Sequence, residues 1–146
     1  MIIVSHRGNI DGPDRDKENR QESIDQAISL GYDVEIDVRL IDGNFFLGHD
    51  GPDRRVDIAW LRARKKNLWI HCKNLDAVVW FKEHDDFRYF WHQEDHVTLT
   101  SKGDIWAYPG FQPIRGSIAV MPELKHDRTD ECAGICTDYP KLYSKI

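Results

Sequence analysis

The sequence predicts an α/β protein, a small, stripped (β/α) TIM-like barrel with several helices missing or shortened. Three observations predict it. Eight short apolar runs, rich in β-branched and aromatic residues, each end in polar or ionisable residues. Amphipathic helical patterns lie between the early runs. The 146 residues suit one domain, residues 1–146, with no linker, repeat or low-complexity stretch. A barrel of this class ordinarily takes about 250 residues, so several connections must be very short. An open mixed sheet with helices on one face is the alternative arrangement.

The strand runs are residues 2–7, 34–39, 45–50, 68–73, 89–93, 97–101, 118–123 and 134–138. The first helical pattern covers about 21–30, with Ile24, Ala27 and Ile28 on one face and Gly31 where the helix stops. The second follows Asp57 as N-cap, turns Ile58, Ala59 and Leu61 inward, and carries Arg62 to Lys66 at its end. The third follows Asn74, with Leu75, Val78, Val79 and Lys82 at helical spacing. Beyond His92 the helical signal fades, and only the region 124–133 can hold a short helix. Between Ile41 and Asn44, Asp42-Gly43 joins two strand patterns with no helix at all.

Composition excludes several classes. A hydrophobic share of 40% is too high for a disordered chain. A net charge of −5 argues against nucleic acid as main partner, because that grip needs a dominant basic field. Small anionic substrates stay open, since they feel the local field of a cleft. Cys72, Cys132 and Cys136 are odd in number, which reads as reduced thiols. Cys132 and Cys136 have no second Cys or His pair at zinc-finger spacing. The apolar run at residues 1–4 is too short for a secretory leader, and no stretch approaches a membrane span. The expected location is the cytoplasm.

The chemistry gathers at strand ends. In Val34-Glu35-Ile36-Asp37-Val38, alternation puts the apolar side chains on one face and both carboxylates on the other. Two charges about 6.7 Å apart repel by roughly 2–3 kcal/mol at an effective dielectric near 20. A divalent cation turns that repulsion into binding. His6 and His49 close the first and third strands; a histidine pair can act as general base and general acid. Arg7 can take phosphate oxygens in a bidentate way. His71 and Lys73 share a face at the fourth strand end, as metal ligand or proton carrier and as phosphate contact. Glu123 ends the seventh strand. Each motif alone is better explained by a wet strand face or a polar strand tip.

Taken in series, His6-Arg7-Gly8, Glu18-Asn19, Glu35-Ile36-Asp37 and His49-Asp50 resemble the glycerophosphodiester phosphodiesterase family, among the phosphatidylinositol-phospholipase-C-like phosphodiesterases. The resemblance covers residues 1–50 and continues more weakly to Gly134-Ile135-Cys136-Thr137-Asp138-Tyr139-Pro140. It implies a compact, short member: a metal-dependent barrel hydrolase of glycerophosphodiesters or similar small phosphodiesters, with a place in lipid metabolism. It implies His6 and His49 as acid/base residues and Glu35 and Asp37 as ligands of magnesium or calcium. It implies Arg7 and Lys73 as phosphate contacts, with Glu18 at an acidic motif position near the metal. The family's Glu-x-Lys strand end reads His71-Cys72-Lys73 here. The third carboxylate is therefore absent, and His71 or Glu123 takes its place, which moves the preference somewhat toward manganese or zinc.

Two other classes compete with hydrolysis. One is a catalytically degenerate barrel that binds phosphorylated ligands. The other is an oligomerising interaction protein, since Trp60, Trp69, Trp80, Trp91, Trp106 and the aromatic stretch 105–111 either cover an interface or fill the barrel wall.

Overall fold

A computed structural model describes residues 1–145. In chain order its elements are β1 (Ile2–His6), α1 (Gln21–Ser29), β2 (Asp33–Ile41), β3 (Asn44–Leu47), β4 (Arg54–Val56), α2 (Ile58–Arg64), β5 (Leu68–Cys72) and α3 (Leu75–Glu83). There follow β6 (Arg88–Phe90), β7 (Val97–Leu99), β8 (Ile105–Ala107), β9 (Ile118–Val120), a 3-10 turn (Pro122–Leu124), β10 (Gly134–Thr137) and α4 (Pro140–Tyr143).

The ten strands form one curled mixed sheet, a half-barrel. Seven of them run parallel in the order β6-β5-β2-β1-β10-β9-β8. Strands β3 and β4 extend from β2, and β7 from β8, all antiparallel to their neighbours. The expected (β/α) TIM-like barrel is therefore wrong. Among the described residues the sheet carries only four short α-helices and no regular β/α alternation. Connection length explains the departure. The two-residue link Asp42-Gly43, with φ of 51° and 78°, reverses the chain into a hairpin. A parallel crossover needs a dozen or more residues. The mixed sheet of the alternative arrangement is closer, but curvature brings its ends together.

No strand ladder joins β6 to β7 or β8 among the described residues. Loop and side-chain contacts bridge that seam instead. Ser101 N donates to Tyr89 O at 2.8 Å, Tyr89 N to Ser101 Oγ at 3.0 Å, and Arg88 Nε lies 2.9 Å from Asp104 Oδ2. Across the concave face the Phe90 and Trp106 rings lie 5.0 Å apart, and those of Trp69 and Trp106 5.5 Å.

Strand alternation sorts the side chains into two cores. Val34, Ile36, Val38, Leu68, Ile70 and Cys72 face outward under the helices and meet Ile24, Ala27, Leu61, Ala77 and Phe81. Val4, Trp69, Phe90, Trp106, Ile118, Val120 and Cys136 fill the concave side. Of the five tryptophans, Trp69 and Trp106 are thus internal, while Trp91 is exposed.

Local signals worked where a side chain could act alone. Asn74 caps α3: its Oδ1 accepts from Ala77 N at 3.1 Å, and its amide also grips both backbone polar groups of Leu40. Asp57 occupies the N-cap position of α2 but makes no capping hydrogen bond. No helix forms in 125–133 among the described residues; the 3-10 turn Pro122–Leu124 ends where one was expected to begin. Strands β4 and β8, three residues each, have no counterpart among the predicted strand runs. No helix among the described residues is long and apolar enough to cross a membrane.

Candidate metal centre

The C-terminal ends of β1 and β5 meet the middle of β2 at one place. Register explains this: His6 pairs with Glu35, and Asp37 with His71. Paired positions in a parallel sheet share a face. Glu35, Asp37 and His71 come together with ligating atoms all within 4.8 Å of one another. His71 Nδ1 lies 3.4 Å from Asp37 Oδ1 and 3.8 Å from Glu35 Oε1. Glu35 is 3% exposed and Asp37 fully buried. Glu35 Oε2 and Asp37 Oδ1 have no hydrogen-bond partner. Buried carboxylate oxygens left unpartnered are costly, and a cation is the ordinary remedy. The residues present therefore fit a metal ion; which metal is a separate question.

The electrostatics agree. Burial, then the neighbouring Asp37 charge, push the Glu35 carboxyl up to about 8. Burial drives His71 down to about 4, despite the Asp37 charge. The imidazole is thus neutral and able to ligate at neutral pH.

Asp37 is held from both sides of its residue. Asn19 Nδ2 donates to Asp37 Oδ2 at 2.9 Å, and Asp37 N donates to Asn19 Oδ1 at 3.0 Å. Arg7 Nε stands 3.3 Å from the same Oδ2, and Arg7 Nη1 3.2 Å from Glu18 Oε2. Arg7 and Asn19 both have φ of 56°. Such left-handed backbone is uncommon outside glycine and costs roughly 1–3 kcal/mol per residue. Backbone hydrogen bonds clasp the pair: Asn19 N to Arg7 O and Arg7 N to Glu35 O, both 2.9 Å.

His6 stands beside this group. Its Nδ1 bonds Asp138 Oδ1 at 2.7 Å, and its Nε2 lies 3.8 Å from Glu35 Oε2. Burial lowers the His6 basicity, but the Asp138 hydrogen bond and the Glu35 charge together outweigh it and leave the net shift upward. Asn9 Nδ2 also donates to Asp138 Oδ1 at 2.8 Å.

A cavity of about 640 Å³ opens over these groups, within the range of small-molecule sites. His6, Arg7, Glu35, His49, His71 and Lys73 all line it, opposite Phe90, Trp106 and Tyr108. His49 comes from the loop after β3 with 42% of its side chain exposed; its Nδ1 bonds Asp50 Oδ1 at 2.7 Å.

Glu123 does not join the ligand group. Its Oε1 accepts from Thr137 Oγ1 at 2.8 Å and its Oε2 from Tyr143 at 3.3 Å. The bulk of the chain between β9 and β10 is loop, so Glu123 sits on the 3-10 turn rather than at a strand end. Glu18 is likewise a partner of Arg7 and Asn9, outside the ligand group. Cys132 and Cys136 form no metal cluster among the described residues, and all three cysteines are free.

Sequence reasoning missed three roles. Asp138 and Asn19 lay inside quoted motifs, but nothing local shows that one meets His6 across the sheet and the other reaches Asp37. His92 lies in the predicted run 89–93 with no role attached to it, whereas its carbonyl sits 3.1 Å from His71 Nε2.

Comparisons of the chain with protein-family models, with curated proteins and with solved structures each found no match.

Proposed function

We propose that the protein is a divalent-metal-dependent hydrolase of small phosphodiesters, related in its site to the glycerophosphodiester phosphodiesterase family. One observation carries the reading. Two buried carboxylates with unpartnered oxygens stand beside a histidine that is already polarised by a second acid, His6 with Asp138. Acids for a cation and an imidazole for a proton, in one cavity, suit displacement at phosphorus.

Glu35, Asp37 and His71 would hold the metal, which supplies charge neutralisation for a phosphate oxygen when bound. Arg7 and Lys73 line the same cavity and add positive charge toward the transition state. His6, kept protonated by Asp138 and Glu35, gives its proton to the leaving alkoxide as the phosphorus–oxygen bond breaks. His49 takes the proton of the attacking hydroxyl or water as the new phosphorus–oxygen bond forms.

The test is turnover of glycerophosphodiesters and of bis(4-nitrophenyl) phosphate by the metal-loaded protein. Turnover abolished by EDTA and lowered about 10²–10⁴-fold in His6→Ala is expected. Equal turnover by wild type and His6→Ala, or turnover indifferent to EDTA, overturns the proposal.

A further inference from the structure

We infer that the centre is built for a borderline dication of the zinc class, one that takes an imidazole nitrogen, in preference to magnesium or calcium. The inference rests on the metal-binding part of the function proposed above, not on hydrolysis.

One carbonyl sets the tautomer of His71. His71 Nε2 lies 3.1 Å from His92 O. A carbonyl oxygen only accepts, so Nε2 carries the proton. In the neutral ring Nδ1 is then a bare lone pair. That lone pair faces Asp37 Oδ1 at 3.4 Å and Glu35 Oε1 at 3.8 Å. Asp37 Oδ1 has no hydrogen-bond donor of its own. Acceptor atoms turned on one another in a buried site repel unless a cation or a proton stands among them.

The ring is also fixed in plane. It stacks on Phe90 with centroids 4.8 Å apart and planes 20° from parallel. A histidine that ligates through one nitrogen typically donates the other N–H to a carbonyl or carboxylate, which sets its tautomer and raises its basicity. His71 has that arrangement. The donor set is therefore two carboxylates and one oriented imidazole. Calcium prefers six to eight oxygens, and magnesium keeps oxygen and water ligands. Imidazole nitrogen favours zinc, cobalt, nickel and ferrous iron.

The test is calorimetric titration of the protein with Zn²⁺, Co²⁺, Mg²⁺ and Ca²⁺, in a Cys132→Ser background so that the part-exposed thiol does not compete. Zinc and cobalt are expected to bind well ahead of magnesium and calcium, and His71→Glu is expected to narrow that gap by about tenfold or more. X-ray absorption on the cobalt-loaded wild type is expected to show imidazole scattering, which keeps the test decisive if the variant does not fold. A gap unchanged in folded His71→Glu, or cobalt without an imidazole ligand, overturns the inference. Failure here is separable from failure of the hydrolase reading. Zinc-class selectivity without phosphodiester cleavage sinks hydrolysis alone, and magnesium-supported cleavage without imidazole ligation sinks this inference alone.

Discussion

His6 Nδ1 and Asp138 Oδ1 lie 2.7 Å apart although 132 positions separate them in the chain. The parallel pairing of β1 with β10 brings them together, since Ser5 registers with Thr137 just before each. Asp138 accepts a second hydrogen bond from Asn9 and is itself held below its ordinary carboxyl range; burial pushes the other way, but the His6 contacts outweigh it. The carboxylate thus fixes the tautomer that leaves His6 Nε2 toward the cavity.

Asp138→Asn removes a main cause of the raised His6 basicity. If the protonated form is the working one, activity falls as pH rises through the His6 pKa. The descending limb of the pH–rate profile is therefore expected to move to lower pH in the variant. Turnover should fall by less than the roughly 10²–10⁴-fold that loss of the imidazole itself costs. A profile superimposable on that of wild type would remove Asp138 from the mechanism.

The metal-free protein should lose stability as pH rises from about 6.5 to 8. Glu35 titrates at about 8 in the fold against an ordinary 4.5, so between those values the native state holds a proton that the unfolded chain has released. Stability then falls with pH, by about 1.4 kcal/mol per unit for one full proton. His71 acts oppositely: lowered to about 4 from 6.5, it makes stability rise with pH between those values. The two effects offset each other up to about pH 6.5; above it the Glu35 decline remains, and His6, whose basicity the fold raises, adds to it. Denaturant titrations at pH 6.5 and 8, with EDTA and with saturating Zn²⁺, check this. The decline should appear with EDTA and shrink with the ion, because a cation takes the place of the proton on Glu35.

The outer layer of the fold was legible because its signals are local. The Ile24–Ala27 and Leu61 faces follow helical period, and Asn74 caps α3 from its own position. The acid pair on one face of β2 was legible for the same reason, since alternation is a property of the strand alone. The barrel was not. Closure depends on what lies between β6 and β8, where loops and a three-residue hairpin strand replace a crossover. Asp138 and Asn19 were invisible in their roles because each acts across the sheet or through a left-handed turn. Glu123 misled in the opposite sense: an acid after an apolar run resembles a ligand, but the 3-10 turn spends it on Thr137 and Tyr143.

Asn19 is expected to matter for the ion as well as for the fold. It satisfies both Asp37 Oδ2 and the Asp37 backbone N–H. Asn19→Ala leaves that buried N–H unpaired at a cost of about 1–3 kcal/mol. It also frees the carboxylate to rotate, and loss of such outer contacts typically weakens metal binding about 10–100-fold. Calorimetry on the folded variant distinguishes the two effects. Unchanged affinity for the ion would mean that Asn19 only ties the loop to β2.

Gly48 sets where His49 stands. Its φ is 153°, and a Cβ there would lie 2.0 Å from Gly51 O and 2.8 Å from Asp53 Oδ2. The backbone cannot easily yield, because Gly48 N donates to Asp37 O and Asp53 N to Leu47 O, both at 3.1 Å. Gly48→Ala is therefore expected to cost about 1–3 kcal/mol through overpacking. It should also shift the His49 loop away from the cavity, lowering kcat more than it raises KM. Gly51→Ala is the matched control, since its Cβ would meet nothing nearer than Asp53 Oδ1 at 3.7 Å. Thermal unfolding and steady-state kinetics on the two variants decide the matter. Equal kcat in Gly48→Ala and Gly51→Ala would show that the position of His49 does not limit the reaction.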